Sequence, residues 1–378
     1  MLAQCQPKQT ITLDGVHYNK SHFQGEKLPD FVHQSSFHFD VYQLIKAWFS
    51  DSPTIEILTS GSTSNSPKAL HADRTMMVNS VKYTQDFFQL KAGDTALLNL
   101  PLGYIARTMV VIRALVIGMD LHIVPCCGRP LEEARLSPQI PLTFASMTPL
   151  QIYNSLRHES DKARLATIKN LIVVGGPIDA KTEKILRTFP NNIYSTYGMA
   201  ETLTHIAFRR ISGSHASDRY MPLEQVFLSL NSAGALVINA PLVAAQPVST
   251  KDLAEIFADG SFKLLGRIDN VINSGGIKVS AEYIEGLLQP VIEGMFAISS
   301  IADPKFGQAI VLVTEKEVNI RLVNQCLPAY YRPKKVIQLD EIPLTKTEKI
   351  NRGLIKQLLH NATLENGNGL NADSYLKN

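Results

Sequence analysis

Between residues 55 and about 197, short apolar, β-branched runs recur between longer amphipathic stretches. The runs are IEILT (55–59), TALLNL (95–100), LHIVP (121–125), LTFASM (142–147), NLIVVGG (170–176) and NIYSTYG (192–198). This alternation predicts βαβ units, hence an α/β fold with a mostly parallel sheet flanked by helices, among them 105–118 and 149–158. Crossover helices cover both faces of such a sheet, which explains strands that are apolar with little alternation. After Pro222 the texture changes to VFLSL, ALVINAP and LAEIFADGSFKLLG, with Asp259 and Gly260 at a hairpin position. An antiparallel β subdomain is expected there. From Val271 a mixed pattern predicts a small α+β domain, with AEYIEGLLQPVIE as a helix and AIVLVTE and KVIQLDEI as strands. The expected organisation is an N-terminal domain at 1–268, a mobile C-terminal domain at 269–360 and a flexible tail at 361–378, where the chain is polar and rich in Asn and Gly. There is no internal repeat.

Composition narrows the class. The 378 residues carry 37 Lys and Arg against 34 Asp and Glu, a net charge of +3, with 45% hydrophobic residues. That excludes a disordered or collagen-like chain and is too small an excess to draw nucleic acid or a membrane surface. Cys5, Cys126, Cys127 and Cys326 show no CxxC spacing and no His cluster accompanies them, so reduced thiols are expected. The start, MLAQCQPKQTITLDG, lacks the apolar core of a signal peptide. The longest apolar run, 109–119, is interrupted by Arg113 and soon followed by Asp120 and His122, short of the roughly 18 residues of a bilayer span. A cytoplasmic enzyme is the expectation, with oligomeric state, including a homo-oligomer, left open.

Three segments carry candidate chemistry. TSGSTSNSPK (59–68) follows a predicted strand and offers backbone N–H groups, hydroxyls and a lysine to an anion. It is not a Walker A sequence, and a Ser-rich surface turn is the competing reading. LLGRIDNVINSGGIKVSAEYIE (264–285) sets Arg267 and Asp269 at the domain boundary, then two glycines and Lys278. IPLTKTEKINR (342–352) places Lys349 in a loop ahead of a final helix.

Together with TYGMAET (196–202) and STKDLAE, these segments in this order resemble the acyl-adenylate-forming, AMP-binding ligases, which include acyl-CoA synthetases. The resemblance covers nearly the whole chain. LPLGYIARTMVVIRALVIGMDL, FASMTPLQIYN and TYGMAETLTHIAFRR look most like the compact bacterial o-succinylbenzoate:CoA ligases of menaquinone synthesis. The resemblance implies ATP-driven activation of a small carboxylic acid to an acyl-adenylate, then transfer to the thiol of CoA, with ATP, Mg²⁺ and CoA as cofactor and co-substrates. Residue by residue, it implies that Thr59, Ser60, Gly61, Ser62, Thr63 and Lys68 cradle the β- and γ-phosphates. Gly175, Gly176 and Pro177 would border the adenine with Thr196, Tyr197 and Gly198. Glu201 matches the Mg²⁺-associated glutamate, and Asp252 and Arg267 match the ribose partners. Lys349 matches the lysine that contacts substrate carboxylate and α-phosphate. Asp269 falls at the hinge, and Gly275, Gly276 and Lys278 fall on the loop lining the pantetheine tunnel. Tyr104, Arg107, His205 and Arg209 are candidates for the acyl pocket. His205 stands four residues past Glu201, on the same face if that stretch is helical; a satisfied structural histidine is the alternative.

The chain also departs from the family pattern. Ser64 replaces the second glycine of the phosphate loop, with one extra residue before Pro67; Ala200 replaces a threonine that donates to the α-phosphate; Glu348 replaces a glycine beside Lys349. Arg107 stands where compact relatives have glycine. Thr196 or Thr202 is available in principle to replace the missing hydroxyl. Two alternatives remain: a ligase for another small aryl or branched acid, and a nucleotide-binding relative without catalysis.

Overall fold

The structure is a computed structural model that describes residues 9–59, 68–100, 105–133, 136–345 and 349–366. In chain order its first strands are β1 (Thr10–Leu13), β2 (Val16–Asn19), β3 (Thr54–Thr59), β4 (Lys68–Asp73), β5 (Thr95–Leu98), β6 (Asp120–Ile123), β7 (Phe144–Met147), β8 (Asn170–Val173), β9 (Asn192–Gly198), β10 (His205–Arg210) and β11 (Met221–Pro222). The helices among them are α1 (Ser21–Gln24), α2 (Ser36–Trp48), α3 (Arg74–Phe88), α4 (Ile105–Ile117), α5 (Pro149–Leu156), α6 (Glu159–Thr167) and α7 (Ala180–Leu186). Nine strands form one sheet in the order β11-β10-β9-β8-β7-β5-β6-β1-β2. The run from β9 to β1 is parallel, and antiparallel pairs close both edges.

One expectation is corrected here. The strand read at 55–59 does not join the parallel sheet; β3 pairs antiparallel with β4 as a separate two-stranded ribbon. The eight residues between them are too few for a parallel crossover, which needs a dozen or more. The phosphate-loop candidate therefore connects two hairpin strands rather than a strand and a helix.

Helix α4 is buried along almost its whole length, as the run from Met109 to Ile117 shows. Helix α5 starts sharply: Thr148 and Gln151 form a reciprocal capping box around Pro149 at the first helical positions. The Gln151 amide then donates to the carbonyls of Asn99 and Cys127, each at 3.0 Å, tying together the chain beyond β5, β6 and β7 at the ends that border the cleft.

The edge hairpin β1–β2 is pinned by charge. His122 on β6 sits 3.5 Å from both Asp14 and Asp120, while Asp14 accepts the Ile123 amide and Asp120 the Gly15 amide. Burial opposes the imidazolium, but hydrogen bonds and attraction from the two carboxylates outweigh it and hold the His122 pKa up at about 9. A folded pKa above the unfolded value of about 6.5 gives stability that is complete below pH 6.5 and lost as pH rises through 9. The denaturant midpoint is expected to fall between pH 6 and 9.5, and His122→Gln to flatten that slope; an unchanged slope in the variant would assign it to another group.

Beyond Pro222, β12 (Phe227–Leu230), β13 (Ala235–Asn239), β14 (Val248–Ile256) and β15 (Phe262–Arg267) form the expected antiparallel sheet in sequential order. Then come β16 (Val271–Ser274), β17 (Ile277–Ser280), α8 (Ala281–Leu288), β18 (Phe296–Asp303), β19 (Gly307–Thr314), α9 (Ile320–Cys326), β20 (Lys335–Gln338) and α10 (Arg352–Asn366). The apolar clusters of this last segment draw only on residues between Ile272 and Leu359, whereas those before it run from Ile11 to Phe262. Helix α10 continues to Asn366, so the tail expected from 361 begins as helix; residues 367–378 lie outside the described residues. Cys127 and Cys326 are free thiols, and Cys5 lies outside the described residues. Among the described residues no helix is long and apolar enough to cross a membrane.

Candidate active site

Strand β9 delivers Tyr197 to the facing edge of the antiparallel sheet. Its hydroxyl donates to Asp252 Oδ2 on β14 at 2.8 Å, and Arg267 Nη1, at the end of β15, donates to Asp252 Oδ1 at 2.7 Å. Burial and the Asp252 charge push the Tyr197 pKa well above its ordinary value, so the phenol stays a donor. Lys349 reaches the same cluster from the other lobe. Its loop is closed by its own amide donating to Thr345 Oγ1 at 3.2 Å and its carbonyl accepting the Thr345 amide at 2.7 Å. The residue is exposed overall, yet desolvation, reinforced by Arg267, lowers its pKa against the pull of Asp252, so its ammonium stands within electrostatic reach of both. Asp269 follows directly: Lys251 Nζ lies 3.1 Å and Arg267 Nη2 3.6 Å from its carboxylate, and Lys356 of α10 donates to its carbonyl at 3.0 Å.

The other wall is a sharp corner after β9. A Cβ on Gly198 would stand 1.9 Å from the Thr204 carbonyl oxygen, so only glycine lets the chain double back here. A 3-10 turn, Ala200–Thr202, is followed by Leu203 at φ 64° and by a Thr204 amide donating to the Thr202 carbonyl at 2.8 Å, a γ-turn of the strained hand. Glu201 projects from this corner, exposed and without a hydrogen bond or ion pair among the described residues. No group of three His, Cys, Asp or Glu able to hold a metal exists among the described residues. A lone free carboxylate fits Mg²⁺, which takes one or two carboxylates and completes its shell with phosphate and water. The hydroxyls expected to replace the one lost at Ala200 are already engaged: Thr196 donates to the Val173 carbonyl, and buried Thr202 bonds to Met199 and Thr204.

Beneath the corner lies a buried polar network that sequence reasoning missed. Arg113 of α4 is 2% exposed; its Nε donates to Thr84 Oγ1 at 3.0 Å and its Nη2 to Thr204 Oγ1 at 3.2 Å. Ser80 bonds Thr204 at 3.0 Å and His205 Nε2 bonds Thr84 at 2.9 Å. No carboxylate partners this guanidinium among the described residues, and burial lowers its pKa to about 9. Its signal in the sequence was a single charge inside an apolar run.

Three acyl-pocket candidates are placed differently from expectation. His205 is on strand β10, not on a helix with Glu201, and burial followed by the Arg113 charge drives its pKa well below the ordinary value, leaving it neutral within the network. Arg209 is spent on a two-pronged pair with Glu183 at 2.8 and 2.9 Å. Arg107 lies over the Phe37 ring of α2 at 5.0 Å, its Nη1 without a hydrogen-bond partner among the described residues. Tyr104, Ser60, Gly61, Ser62, Thr63, Ser64 and Glu348 lie outside the described residues, and the side chains of Thr59 and Lys68 do too. Gly175, Gly176 and Pro177 follow β8, with the Cβ position of Gly176 4.0 Å from Pro149. Gly275 and Gly276, at φ 61° and 83°, form the two-residue turn of the β16–β17 hairpin. The Gly275 amide donates to the Phe306 carbonyl at 2.8 Å, and Lys278 is exposed, so this turn is not gathered with Tyr197, Asp252 and Lys349.

The model of the family described as AMP-binding enzyme matches residues 2–241. The chain belongs to the AMP-binding enzyme family. Its structure is similar to that of the acyl-CoA synthetase (AMP-forming)/AMP-acid ligase II-like protein from Dyadobacter fermentans, at 26% identity and a TM-score of 0.61, covering 90% of this chain and 99% of that one. Gramicidin S synthase 2 of Brevibacillus brevis is 25% identical over 79% of this chain, which spans only 8% of that protein. The 2-succinylbenzoate–CoA ligase of Lactococcus lactis is 23% identical over 82% of this chain and 73% of its own length. The family fold, a large α/β lobe with an antiparallel sheet and a small α+β lobe, is the architecture described above.

Proposed function

We propose that this AMP-binding enzyme is an AMP-forming acid:CoA ligase acting through an acyl-adenylate, cytoplasmic, with o-succinylbenzoate as its acid. The observation that carries the reaction type is the convergence of Lys349, from the small lobe, on the Tyr197–Asp252–Arg267 cluster of the large one. Asp252 keeps lone pairs free for ribose hydroxyls while Tyr197 and Arg267 fix its orientation. The ammonium offsets repulsion between the acid carboxylate and the α-phosphate as they approach to about 3–4 Å. Pyrophosphate leaves with added negative charge, and the segment 59–68 would hold that charge with preorganised donors. Mg²⁺, when bound, would neutralise phosphate charge, and Glu201 would hold it. The segment 269–360 would then turn about Asp269 to bring Gly275, Gly276 and Lys278 to the cleft for thioester formation with CoA.

The choice of acid is supported by the likeness to the 2-succinylbenzoate–CoA ligase of Lactococcus lactis, and we assign the second carboxylate of such an acid to Arg113. A buried guanidinium without a carboxylate suits an acid carrying a second carboxylate, since leaving such a charge unpaired is costly. Pyrophosphate release with o-succinylbenzoate should exceed that with benzoate, and Arg113→Lys should raise KM for the dicarboxylic acid at least tenfold while leaving KM for ATP unchanged. Equal effects on mono- and dicarboxylic acids would remove this assignment. A second reading is favoured by the engaged hydroxyls of Thr196 and Thr202, which leave the α-phosphate donor lost at Ala200 without a replacement. A missing transition-state donor costs ~10- to 1000-fold in rate. ATP binding without turnover on any acid would favour that reading of a nucleotide-binding relative.

A further inference from the structure

A second cavity, of about 520 Å³, opens where helix α3 ends over strands β9 and β10. Phe87, Tyr194 and Phe208 supply an aromatic wall: the Phe87 ring centroid is 4.3 Å from Phe208 and 5.2 Å from Tyr194. Phe87 nevertheless remains 41% exposed, so this cluster is a surface and not a closed core. The polar wall is cationic. Arg210 donates to the Ser212 carbonyl, the Tyr194 hydroxyl and Asn192 Oδ1, at 2.9, 3.1 and 3.0 Å. All three acceptors are neutral, which leaves two of its five N–H donors unused and no carboxylate on it among the described residues, while its guanidinium lies 5.5 Å from the Tyr194 ring centroid. Arg219 lies over the Phe257 ring at 3.5 Å, and His215 is exposed on the same rim. The carboxylate on this wall, Asp259, is turned into its own loop, accepting from the Ser261 amide at 3.0 Å and hydroxyl at 2.6 Å.

We infer that this cavity binds a small aromatic carboxylate, a flat ring system stacked on Phe87 and Tyr194 with its acid group on Arg210 and Arg219. Two guanidiniums against one carboxylate, Asp259, leave a net positive charge that favours an anion, and planar, fork-shaped donors match a carboxylate. The exposed face of Phe87 accepts a flat ring in offset or edge-on contact, beside the partly exposed Tyr194. The volume lies within the range of small-molecule sites. The site is separate from the nucleotide cleft. Tyr194 lies four residues before Gly198, about 13 Å along the strand at ~3.3 Å per residue. Behind the Phe208 wall the His205 ring packs at 4.5 Å, opposite Gly198 in the strand register.

The inference does not depend on which acid the enzyme activates. Calorimetric titration of the full chain with 2-naphthoate tests it, with 2-naphthalenemethanol as the uncharged analogue. Naphthoate should bind at least tenfold more tightly than the alcohol. Phe87→Ser and Arg219→Gln should each weaken naphthoate at least fivefold and leave ATP binding unchanged, as should Arg210→Gln if it folds. Equal affinity for acid and alcohol, or no binding of either, would overturn the proposal. Loss of binding in Arg113→Lys but not in Phe87→Ser would place the probe in the acyl pocket and overturn it equally. So would a dimer in sedimentation that Phe87→Ser dissociates, since the cavity would then be an interface between copies of the chain.

Discussion

Lys349→Ala is expected to slow acyl-adenylate formation by at least ~100-fold while leaving thioester formation from a supplied acyl-adenylate within a fewfold of the wild type. The asymmetry follows from where the ammonium stands. It stands within electrostatic reach of Asp252 and Arg267, where in the proposed mechanism two anions would meet for the first step, and it would have no part in bringing a thiol to an already formed anhydride. Removing it loses a charge whose worth is raised by partial exclusion of water. Lys349→Arg should recover little, because a broad planar guanidinium does not replace a compact point charge. Pyrophosphate release reports the first step and CoA-dependent release of AMP the second. Equal loss in both would show that the loop carries structure and not chemistry. The lowered pKa adds a pH signature: adenylation should decline on the alkaline side before an ordinary lysine would lose its proton.

Arg352→Ala should destabilise the C-terminal lobe by about 3–5 kcal/mol, the usual cost of breaking a largely buried ion pair by removing one partner. Arg352 Nη1 and Nη2 meet Glu285 Oε1 and Oε2 at 2.9 and 2.6 Å, and Nη1 also donates to the Ile298 carbonyl at 3.2 Å. Glu285 in turn accepts the Ile298 amide at 2.7 Å. One guanidinium therefore joins α8, β18 and the start of α10, three residues beyond Lys349. Its side chain is 21% exposed and that of Glu285 14%. Denaturant titration and amide exchange along β18 measure the effect, and the double replacement Arg352→Met with Glu285→Leu should restore much of the loss. A change under 1 kcal/mol for Arg352→Ala would mean that α10 docks through its apolar side alone.

Much of the architecture was legible because strands β5 to β9 of the parallel sheet are apolar runs bounded by turn residues, and helices α4 and α5 occupy longer stretches between them. The β3–β4 ribbon was misplaced because an apolar run carries no label for its partner; only the brevity of the connection betrays the hairpin. The edge hairpin β1–β2 and strand β18 went unseen, being short or broken by paired serines. At the candidate site, Tyr197, Asp252, Arg267 and Lys349 were singled out from motifs; the first three are hydrogen-bonded to one another, and Lys349 stands within electrostatic reach of Asp252 and Arg267. Arg209 and His205 misled for one reason: a charged or titratable side chain near a motif reads as available, whereas its spending on Glu183 or Thr84 is settled by helices distant in sequence. Arg113 shows the reverse, a residue read as an interruption of an apolar run that organises the polar interior.

The bend at Leu203 has a further consequence. Holding a leucine at positive φ costs on the order of 1–3 kcal/mol, and hydroxyl bonds from Thr202 to both arms of the turn keep it from relaxing. The backbone that carries the neighbouring acidic group is therefore set when the polypeptide folds. Loading a divalent ion would need no local rearrangement of the backbone, and a glycine at that position would trade a quick, ready response for a looser one.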